Sequence, residues 1–282
     1  METTTTKKNK QLKPFVKWAG GKRQLLAQIS PFIPATFGTY YEPFLGGGAV
    51  LFHIQPQRCM INDINTEMIN VYRMVQNRVE ELIQILKTYK NESDFYYAIR
   101  SLDRSPNYDS MSAVERAARI LFLNKTCFNG LFRVNRQGQF NVPFGRYKNP
   151  NITNEDTLRA VSAFLQQSNC QLLNTDFAKA VQTATAGDFI YFDPPYDPLP
   201  GSPSFTDYTL SGFGQQDQER LKQTCDSLHK RGVKFLLSNS ATNFIKELYG
   251  AYTVQIVRAS RNINSVGKKR GKIDEVLIRN YP

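Results

Sequence analysis

Short apolar runs alternate with longer helical patterns near both ends of the chain, separated by polar, glycine- or proline-containing turns. Runs rich in β-branched and aromatic residues predict strands at 40–42, 58–61, 170–176, 189–192, 233–237, 252–257 and 275–280. Apolar residues at helical spacing predict helices from about 65 to 90 and at 112–122, 158–165 and 216–230. The alternation indicates an α/β fold.

The stretch from residue 67 to 156 differs, because its signal is mainly helical and it has no strand-rich core pattern. Within it, Ser112 and Glu115 form a predicted capping box at a helix start. We therefore expect two domains. Residues 1–66 and 157–282 form the α/β domain, and 67–156 form a smaller inserted one.

Composition narrows the class of protein and of partner. Hydrophobic residues at 41% and charged residues at 21% are typical of a soluble globular protein. The net charge of +12 favours a polyanion, with nucleic acid first and an anionic membrane surface second. Apolar runs fall far short of the roughly 20 residues of a membrane span, and residues 1–7 lack an apolar signal region. We expect a cytoplasmic protein that binds no membrane.

Four cysteines lie far apart without a C-x-x-C pair, at Cys59, Cys127, Cys170 and Cys225. Only two histidines, His53 and His229, are present to complete a metal site. We expect all four cysteines to be reduced packing residues, and we expect no metal site.

A predicted strand at 189–192 runs into the rigid polar turn Asp193-Pro194-Pro195-Tyr196. The prolines stop strand pairing, because neither can donate a hydrogen bond and each fixes its own φ. The turn would present a carboxylate, fixed carbonyls and an aromatic ring at the edge where open α/β sheets bind ligands. These groups suit the exocyclic amino group and face of an unstacked adenine or cytosine. An ordinary strand-terminating turn is the alternative.

A second candidate, at 15–23, contains the only tryptophan, Trp18, before Gly20, Gly21 and Lys22. A phosphate-binding P-loop would need Gly at position 16 and Ser or Thr at 23, so a nucleotide triphosphatase is excluded. The remaining prediction is a glycine turn that opens a helix, with Lys22 placed to capture a carboxylate. An exposed lysine at a helix start is the alternative.

A third candidate combines a strand, the glycine bend 46–48 and a helix, followed by a second strand that ends at Asn62-Asp63. Glycines let a ligand approach the backbone closely. An acid after such a strand is placed to bind ribose hydroxyls, as in dinucleotide sites. Asp63 as an ordinary helix N-cap is the competing interpretation.

Two acid-free segments favour nucleic-acid contact. Residues 124–148 contain five basic residues and five aromatics, and 260–272 contain five basic residues, among them Lys268. Arginine and asparagine read base edges, and exposed aromatics can wedge between base steps. A solvated loop is the alternative for 124–148.

Residues 198–214, rich in Gly, Pro, Ser and Thr, predict a mobile loop or lid beside the site.

Taken together, these motifs resemble the DNA adenine methylase (Dam) family, which modifies adenine in GATC. The matching stretches are Lys-Trp-Ala-Gly-Gly-Lys at 17–22, Glu-Pro-Phe-Leu-Gly-Gly-Gly at 42–48, Asn-Asp-Ile-Asn at 62–65, Asn-Gly-Leu-Phe-Arg at 129–133, Phe-Asn-Val-Pro-Phe-Gly-Arg-Tyr-Lys at 140–148 and Asp-Pro-Pro-Tyr at 193–196. Their order and spacing cover most of the chain. Two departures are Phe128, where the family usually has Tyr, and Gly47, where Ala is common.

The resemblance implies a methyltransferase fold, with a mostly parallel sheet flanked by helices and an inserted target-recognition domain at 67–156. It implies S-adenosyl-L-methionine, held by Trp18, Gly20, Lys22, Phe44, Gly46, Gly48, Asp63, Asp176 and Asp193. The implied catalytic residues are Asp193, Pro194, Pro195 and Tyr196. The implied DNA contacts are Lys17 and Arg146, with Phe128 and Asn129 in the space left by a flipped base and Arg133 on a guanine.

The resemblance also implies double-stranded DNA as partner and a monomeric enzyme in a bacterial or phage-infected cell. N4-cytosine or RNA methylation is the alternative among enzymes, although cytosine enzymes more often resemble Ser-Pro-Pro-Tyr. A non-catalytic DNA-binding regulator of the same fold is the alternative from another class. Such a regulator should have lost Asp193 or the 46–48 glycines, which are present here.

Overall fold

The computed structural model describes residues 12–199, 212–260 and 272–282. Residues 200–211 of the loop predicted at 198–214, and residues 261–271 of the basic segment with Lys268, lie outside the described residues.

Within the described ranges, seven strands form one sheet in the order β3-β2-β1-β4-β5-β7-β6. The strands are β1 (Tyr40–Glu42), β2 (Cys59–Asn62), β3 (Gln171–Leu173), β4 (Phe189–Phe192), β5 (Lys234–Ser240), β6 (Thr253–Ser260) and β7 (Lys272–Arg279). Every pairing from β3 across to β5 is parallel, whereas β7 is antiparallel to both β5 and β6. The expected α/β fold with a mostly parallel sheet is confirmed.

The helices flank this sheet and also fill most of the region from 67 to 126. They are α1 (Leu26–Ile29), α2 (Ala49–Ile54), α3 (Thr66–Asn77), α4 (Val79–Thr88), α5 (Ser93–Ser101), α6 (Ala113–Thr126), α7 (Glu155–Gln167), α8 (Phe177–Ala180), α9 (Gln215–Lys230) and α10 (Asn243–Leu248). The predicted helix from 65 to 90 is divided at Arg78 into α3 and α4. The predicted capping box of Ser112 and Glu115 at the start of α6 is confirmed.

The apolar run of β4 is buried on both faces of the sheet. Phe189 and Tyr191 belong to one hydrophobic cluster, and Ile190 and Phe192 belong to the other. Alternate side chains of a strand point to opposite faces, so an uninterrupted apolar run is what a doubly covered strand requires. The first cluster continues without a break into helices α3 to α6. The division into domains at 66 and 156 stays a prediction.

The expectation that all four cysteines are reduced was wrong for two of them. Cys59 and Cys170 form a disulfide, with their Cα atoms 4.6 Å apart. The parallel register of β2 with β3 pairs Met60 with Gln171 and so brings the preceding cysteines together. Cys127 and Cys225 are buried thiols, as expected.

Within residues 12–199, 212–260 and 272–282, no group of three or more His, Cys, Asp or Glu side chains is placed to hold a metal ion. No helix in these ranges is long and apolar enough to cross a membrane.

A buried ion pair anchors the segment after α6 to the helices. Arg119 on α6 lies 2.6 Å from Asp103, and their side chains are 2% and 8% exposed. Asp103 also accepts a hydrogen bond from the backbone N–H of Phe140, at 2.7 Å. Arg104 donates to the carbonyl of Phe140, at 2.8 Å. The backbone of Phe140 is therefore held on both its donor and its acceptor side.

Asp103→Ala should destabilise the fold by about 3–5 kcal/mol, because it leaves the buried cation of Arg119 without its partner. Urea unfolding of the full chain measures this change. The control is Glu80→Ala, which removes one of the two acidic partners of the exposed Arg159 and should leave the midpoint almost unchanged. Equal shifts for the two variants would contradict the structural role of Asp103.

Candidate active site

Parallel strands bring three carboxylic acids to one edge of the sheet. Glu42 ends β1, Asp63 directly follows β2 and Asp193 directly follows β4. These strands are neighbours and point the same way, so their carboxyl ends meet. Open α/β sheets bind ligands at this edge, and the sequence predicted that the turn at 193–196 would lie there.

Lys22 makes a buried ion pair with Asp193. Its Nζ lies 2.8 Å from Asp193 Oδ1 and donates to the carbonyl of Gly20 at 2.7 Å. Only 6% of Lys22 is exposed, so the alternative of an exposed lysine at a helix start is wrong. The partner shown here is the carboxylate of the Asp-Pro-Pro-Tyr turn. Capture of a ligand carboxylate by Lys22 stays a prediction.

The protonation of Asp193 reflects competing effects. Burial raises its pKa to about 6, the cation of Lys22 opposes this rise, and the charge of Glu275 adds to it. The pKa nevertheless stays below 7, so Asp193 is mostly ionised at neutral pH. It can then accept hydrogen bonds from an amino group.

The backbone that surrounds Tyr196 is fixed by hydrogen bonds from two other elements. Gln218 on α9 donates to the carbonyl of Pro195 at 2.9 Å. The N–H of Asp197 donates to Asn239 at 3.1 Å, and Ser240 donates to the carbonyl of Asp197 at 2.7 Å. Asn239 in turn donates to Gln218 at 3.0 Å. The turn is thus held rigidly against β5 and α9.

The side chain of Tyr196 also has two polar neighbours. Its hydroxyl donates to Glu275 on β7 at 2.8 Å, and Lys22 Nζ lies 4.7 Å from the centre of its ring. Sequence reasoning missed Gln218, Asn239 and Glu275. A polar pair at the end of β5 was visible as Ser238-Asn239, but nothing in the sequence paired it with the turn.

Asp63 holds the glycine bend. It accepts from the N–H of Gly46 at 2.8 Å and from the N–H of Asn65 at 2.9 Å. The helix cap of α3 is Asn65, which accepts from Met68, so the interpretation of Asp63 as that N-cap is wrong. Burial raises the pKa of Asp63, and the backbone N–H donors oppose the rise. A role of Asp63 toward ribose stays a prediction.

Trp18 lies against the glycine bend. Gly46 has φ +48°, and a Cβ built there would lie 2.6 Å from the indole of Trp18. A Cβ on Gly48, which has φ +67°, would lie 2.8 Å from the hydroxyl of Tyr72. Both positions combine a left-handed backbone with a close neighbour, which explains the need for glycine.

Glu42 is an additional acid that was not predicted as a site residue. It is 2% exposed and accepts from the hydroxyl of Tyr40 at 2.7 Å. Burial raises its pKa to about 8, and the charges of Asp193 and Asp63 contribute to the rise. Glu42 is therefore mostly neutral at pH 7. Its place in the matched 42–48 motif was the available signal.

Phe44 and Asp176 both lie at the start of α8. Phe44 stacks on Phe177, with ring centres 5.3 Å apart, and meets Phe213 edge-on at 5.8 Å. Asp176 caps α8 through the N–H of Ala178 and pairs with Arg220 at 2.8 Å. These contacts leave the predicted cofactor roles of Phe44 and Asp176 untested.

The side chain of Asn124 joins the segment 15–23, which contains Trp18 and Lys22, to the basic segment 124–148, which we call the recognition segment. It accepts from the N–H of Lys17 at 2.8 Å and donates to the carbonyl of Lys17 at 2.7 Å. The same amide donates to the carbonyl of Gly130 at 3.2 Å. Trp18, the next residue after Lys17, packs against Phe132, with the ring centres 5.1 Å apart.

Phe128 and Asn129 lie at an exposed turn next to this junction. Phe128 is 51% exposed, and its N–H donates to the carbonyl of Pro143 at 2.8 Å. Asn129 adopts a left-handed backbone, with φ +55°. An exposed aromatic ring on a rigid turn is suited to wedging between base steps.

The segment that follows forms a short antiparallel hairpin, in which Val134 pairs with Phe140. Arg133 is exposed, and it donates to the side chain of Asn141 at 2.7 Å and to its carbonyl at 3.3 Å. Asn141 therefore orients the guanidinium through two of its N–H groups. Arg146 is exposed beyond the hairpin and has φ +54°.

Comparison with known proteins identifies the family. The model of the D12 class N6 adenine-specific DNA methyltransferases matches residues 18–263. A type II methyltransferase of Lactococcus lactis subsp. cremoris is 44% identical over 97% of this chain and 98% of the relative. A type II methyltransferase of Methanocaldococcus jannaschii is 43% identical over 96% of this chain and 100% of the relative. A DNA adenine methylase of Escherichia coli K12 is 32% identical over 97% of both. The chain therefore belongs to the D12 class N6 adenine-specific DNA methyltransferase family and is an adenine-specific DNA methyltransferase.

Proposed function

We propose that this methyltransferase acts as a monomer on adenine in double-stranded GATC sites, with S-adenosyl-L-methionine as methyl donor and with flipping of the target base. The observation that carries the proposal is the ion pair of Asp193 with Lys22 in a rigid turn, next to Tyr196 and to the glycine bend that Asp63 holds. The named relatives include DNA adenine methylases of bacteria. They support a place in the cytoplasm of a bacterial or phage-infected cell.

Asp193 and the turn after it hold the flipped adenine. The exocyclic amino group donates to the carboxylate of Asp193 and to the carbonyl of Pro194, while the base stacks on Tyr196. Pro195 stiffens the turn, and its carbonyl is already bound by Gln218. As the amino nitrogen forms its new bond, positive charge develops on it, and the negative charge of Asp193 stabilises that charge.

The residues at the sheet edge fit S-adenosyl-L-methionine. The carboxylates of Asp63 and Asp193 suit a cationic, hydroxyl-bearing ligand, and the aromatic cluster around Phe44 suits a purine. In this assignment Asp63 holds ribose hydroxyls, Asp176 and Phe44 hold the purine, and Lys22 with Gly20 faces the carboxylate end. Trp18, Gly46 and Gly48 complete the binding surface. When bound, the cofactor supplies an electrophilic methyl group.

The recognition segment supplies the DNA contacts. Arg133 reads a guanine of GATC through the guanidinium N–H groups that Asn141 does not occupy. Phe128 and Asn129 fill the space left by the flipped base. Arg146 contacts the DNA, as does Lys17, which lies outside this segment and is bound to it through Asn124. We assign this recognition role to the inserted region 67–156.

Asp193→Asn should lower the rate of methylation by about 100-fold or more, because it removes the charge that stabilises the reacting amino group. The measurement is protection of a plasmid from a restriction enzyme that cuts only unmethylated GATC. The matched control is Asp156→Asn, the same change on an exposed residue of α7. Retention of more than about half the activity by Asp193→Asn would exclude a catalytic role.

The activity should also fall below about pH 6, because protonation of Asp193 removes its acceptor. The cation of Lys22 lowers the pKa of Asp193, so Lys22→Met should move the acid limb of the pH–rate profile to higher pH. The profile is measured at saturating DNA and cofactor. Arg23→Met, which removes an exposed neighbouring charge, should leave the limb in place. An unmoved limb in Lys22→Met would contradict the assignment of that limb to Asp193.

Arg133→Ala should flatten the preference for GATC over a site with one guanine replaced, since a bidentate arginine discriminates guanine by roughly 1–3 kcal/mol. Initial rates are compared on paired duplexes with each guanine substituted in turn. Arg136→Ala is the control, because Arg136 is an exposed arginine at the turn of the same hairpin. It should change the rates on all duplexes alike. A wild-type rate ratio in Arg133→Ala at every position would place recognition elsewhere.

A further inference from the structure

Glu275 enters the site from the antiparallel part of the sheet. It lies on β7, paired with Ser240 of β5 and with Val257 of β6. Its Oε2 accepts the hydroxyl of Tyr196 at 2.8 Å. The residue opposite, Ser240, holds the carbonyl of Asp197. The paired residues Glu275 and Ser240 thus fix both the ring of Tyr196 and the backbone that follows it.

The ring of Tyr196 is held at two places by groups of opposite charge. Lys22 Nζ lies 4.7 Å from the ring centre, and the carboxylate of Glu275 binds the hydroxyl. Burial raises the pKa of Tyr196 far above its usual value, so its hydroxyl keeps its proton and remains the donor. A hydrogen bond to a carboxylate is stronger than one between neutral groups and fixes the direction of the ring.

We propose that Glu275 is a positioning residue for methyl transfer, which orients the Tyr196 ring against which the target adenine stacks and sets the charge around Asp193. This inference rests on the proposed function of the Asp193–Tyr196 turn. Glu275 does not touch the base. Its effect on the reaction passes through the hydroxyl of Tyr196 and through its charge.

These two effects can be separated, because one needs an acceptor oxygen and the other needs a negative charge. Glu275→Gln keeps an acceptor oxygen and loses the charge, whereas Glu275→Ala loses both. Tyr196→Phe keeps the ring and loses the hydroxyl. Asp274→Asn removes the charge of an exposed neighbour on the same strand and is the matched control.

The charge effect has a definite sign. Glu275 raises the pKa of Asp193, whereas Lys22 lowers it. The other titratable groups coupled to Asp193 are Glu42, Tyr40, Tyr191 and Tyr196. Glu275 also raises the pKa values of Tyr191 and Tyr196, but burial is the larger cause in both and keeps both hydroxyls protonated. Glu275→Gln should therefore move the acid limb of the pH–rate profile to lower pH. This shift is opposite to the one expected for Lys22→Met.

The experiment measures kcat, the KM for the cofactor and the pH–rate profile of the full chain on a GATC duplex, with thermal unfolding as a check of folding. Glu275→Ala and Tyr196→Phe should each lower kcat by about tenfold, the cost of losing one hydrogen bond to a charged group. The double variant should also lose about tenfold, because both changes remove the same bond. Glu275→Gln should retain most of kcat, with its acid limb shifted. The KM for the cofactor should stay within about twofold of wild type in all variants.

Three results would overturn the inference. The first is a loss of kcat of about a hundredfold in the double variant, which would be the product of the two single losses. The second is a pH–rate profile of Glu275→Gln that is identical to that of Asp274→Asn. The third is a loss of kcat that is no larger than the loss of folded protein. A separate result tests the proposed function itself. If the wild-type protein transfers no methyl group to GATC but methylates another adenine site, the GATC assignment fails. The same variants are then measured on that site, where they test Glu275 unchanged.

Discussion

The ion pair between Lys22 and Asp193 is the interaction on which the site depends. An ammonium group buried without a partner costs several kcal/mol, so Lys22 is tolerated at 6% exposure only beside a carboxylate. A pair of this kind adds little net stability, because desolvation offsets most of the attraction. Its effect is geometric. It holds the end of β4 against the turn that carries Gly20, whose carbonyl binds the same ammonium group, and it keeps the Asp193 pKa low enough for ionisation at neutral pH.

The proposed DNA-binding side and the proposed reacting side are joined through the consecutive residues Lys17 and Trp18. Asn124 binds the backbone of Lys17 on both its N–H and its carbonyl, and binds Gly130 with the same amide. Trp18 follows Lys17 directly, packs on Phe132 and covers the glycine bend. The separation between the recognition segment and the glycine bend is therefore fixed by packed side chains, those of Trp18 and Phe132. The base flipping that we propose would deliver the adenine at a set distance from the proposed DNA contacts, and such a rigid spacing suits that requirement.

Local patterns predicted the elements that are local in sequence. The strand at 189–192, the capping box at Ser112 and the glycine bend all follow from residue types within a few positions of one another, and the structure confirms each of them. The partners of the site residues were not predictable in this way. Gln218 and Glu275 meet the turn only because α9 and β7 pack beside β4 and β5, and the disulfide of Cys59 with Cys170 depends on the register of β2 with β3. The contacts of Gln218 and Glu275 and the disulfide are set by tertiary pairing, which residue spacing alone does not encode. The short helix α10 was also not predicted.

The charges at the sheet edge explain why so many acids can share one site. Burial raises the pKa of Glu42 to about 8, with a further rise from the charge of Asp193, and burial raises the pKa of Asp193 to about 6. Between these values Glu42 keeps its proton while Asp193 carries its charge. Lys22 balances one of the two charges of Asp193 and Glu275, which leaves one excess negative charge among these three side chains. The cationic methyl donor that we propose, and the positive charge that would develop on the amino nitrogen, would both be favoured beside such a negative group. Ionisation of Glu42 above about pH 8 would place a second negative charge near that of Asp193, so the combination of a neutral Glu42 and an ionised Asp193 is confined to the interval between the two pKa values.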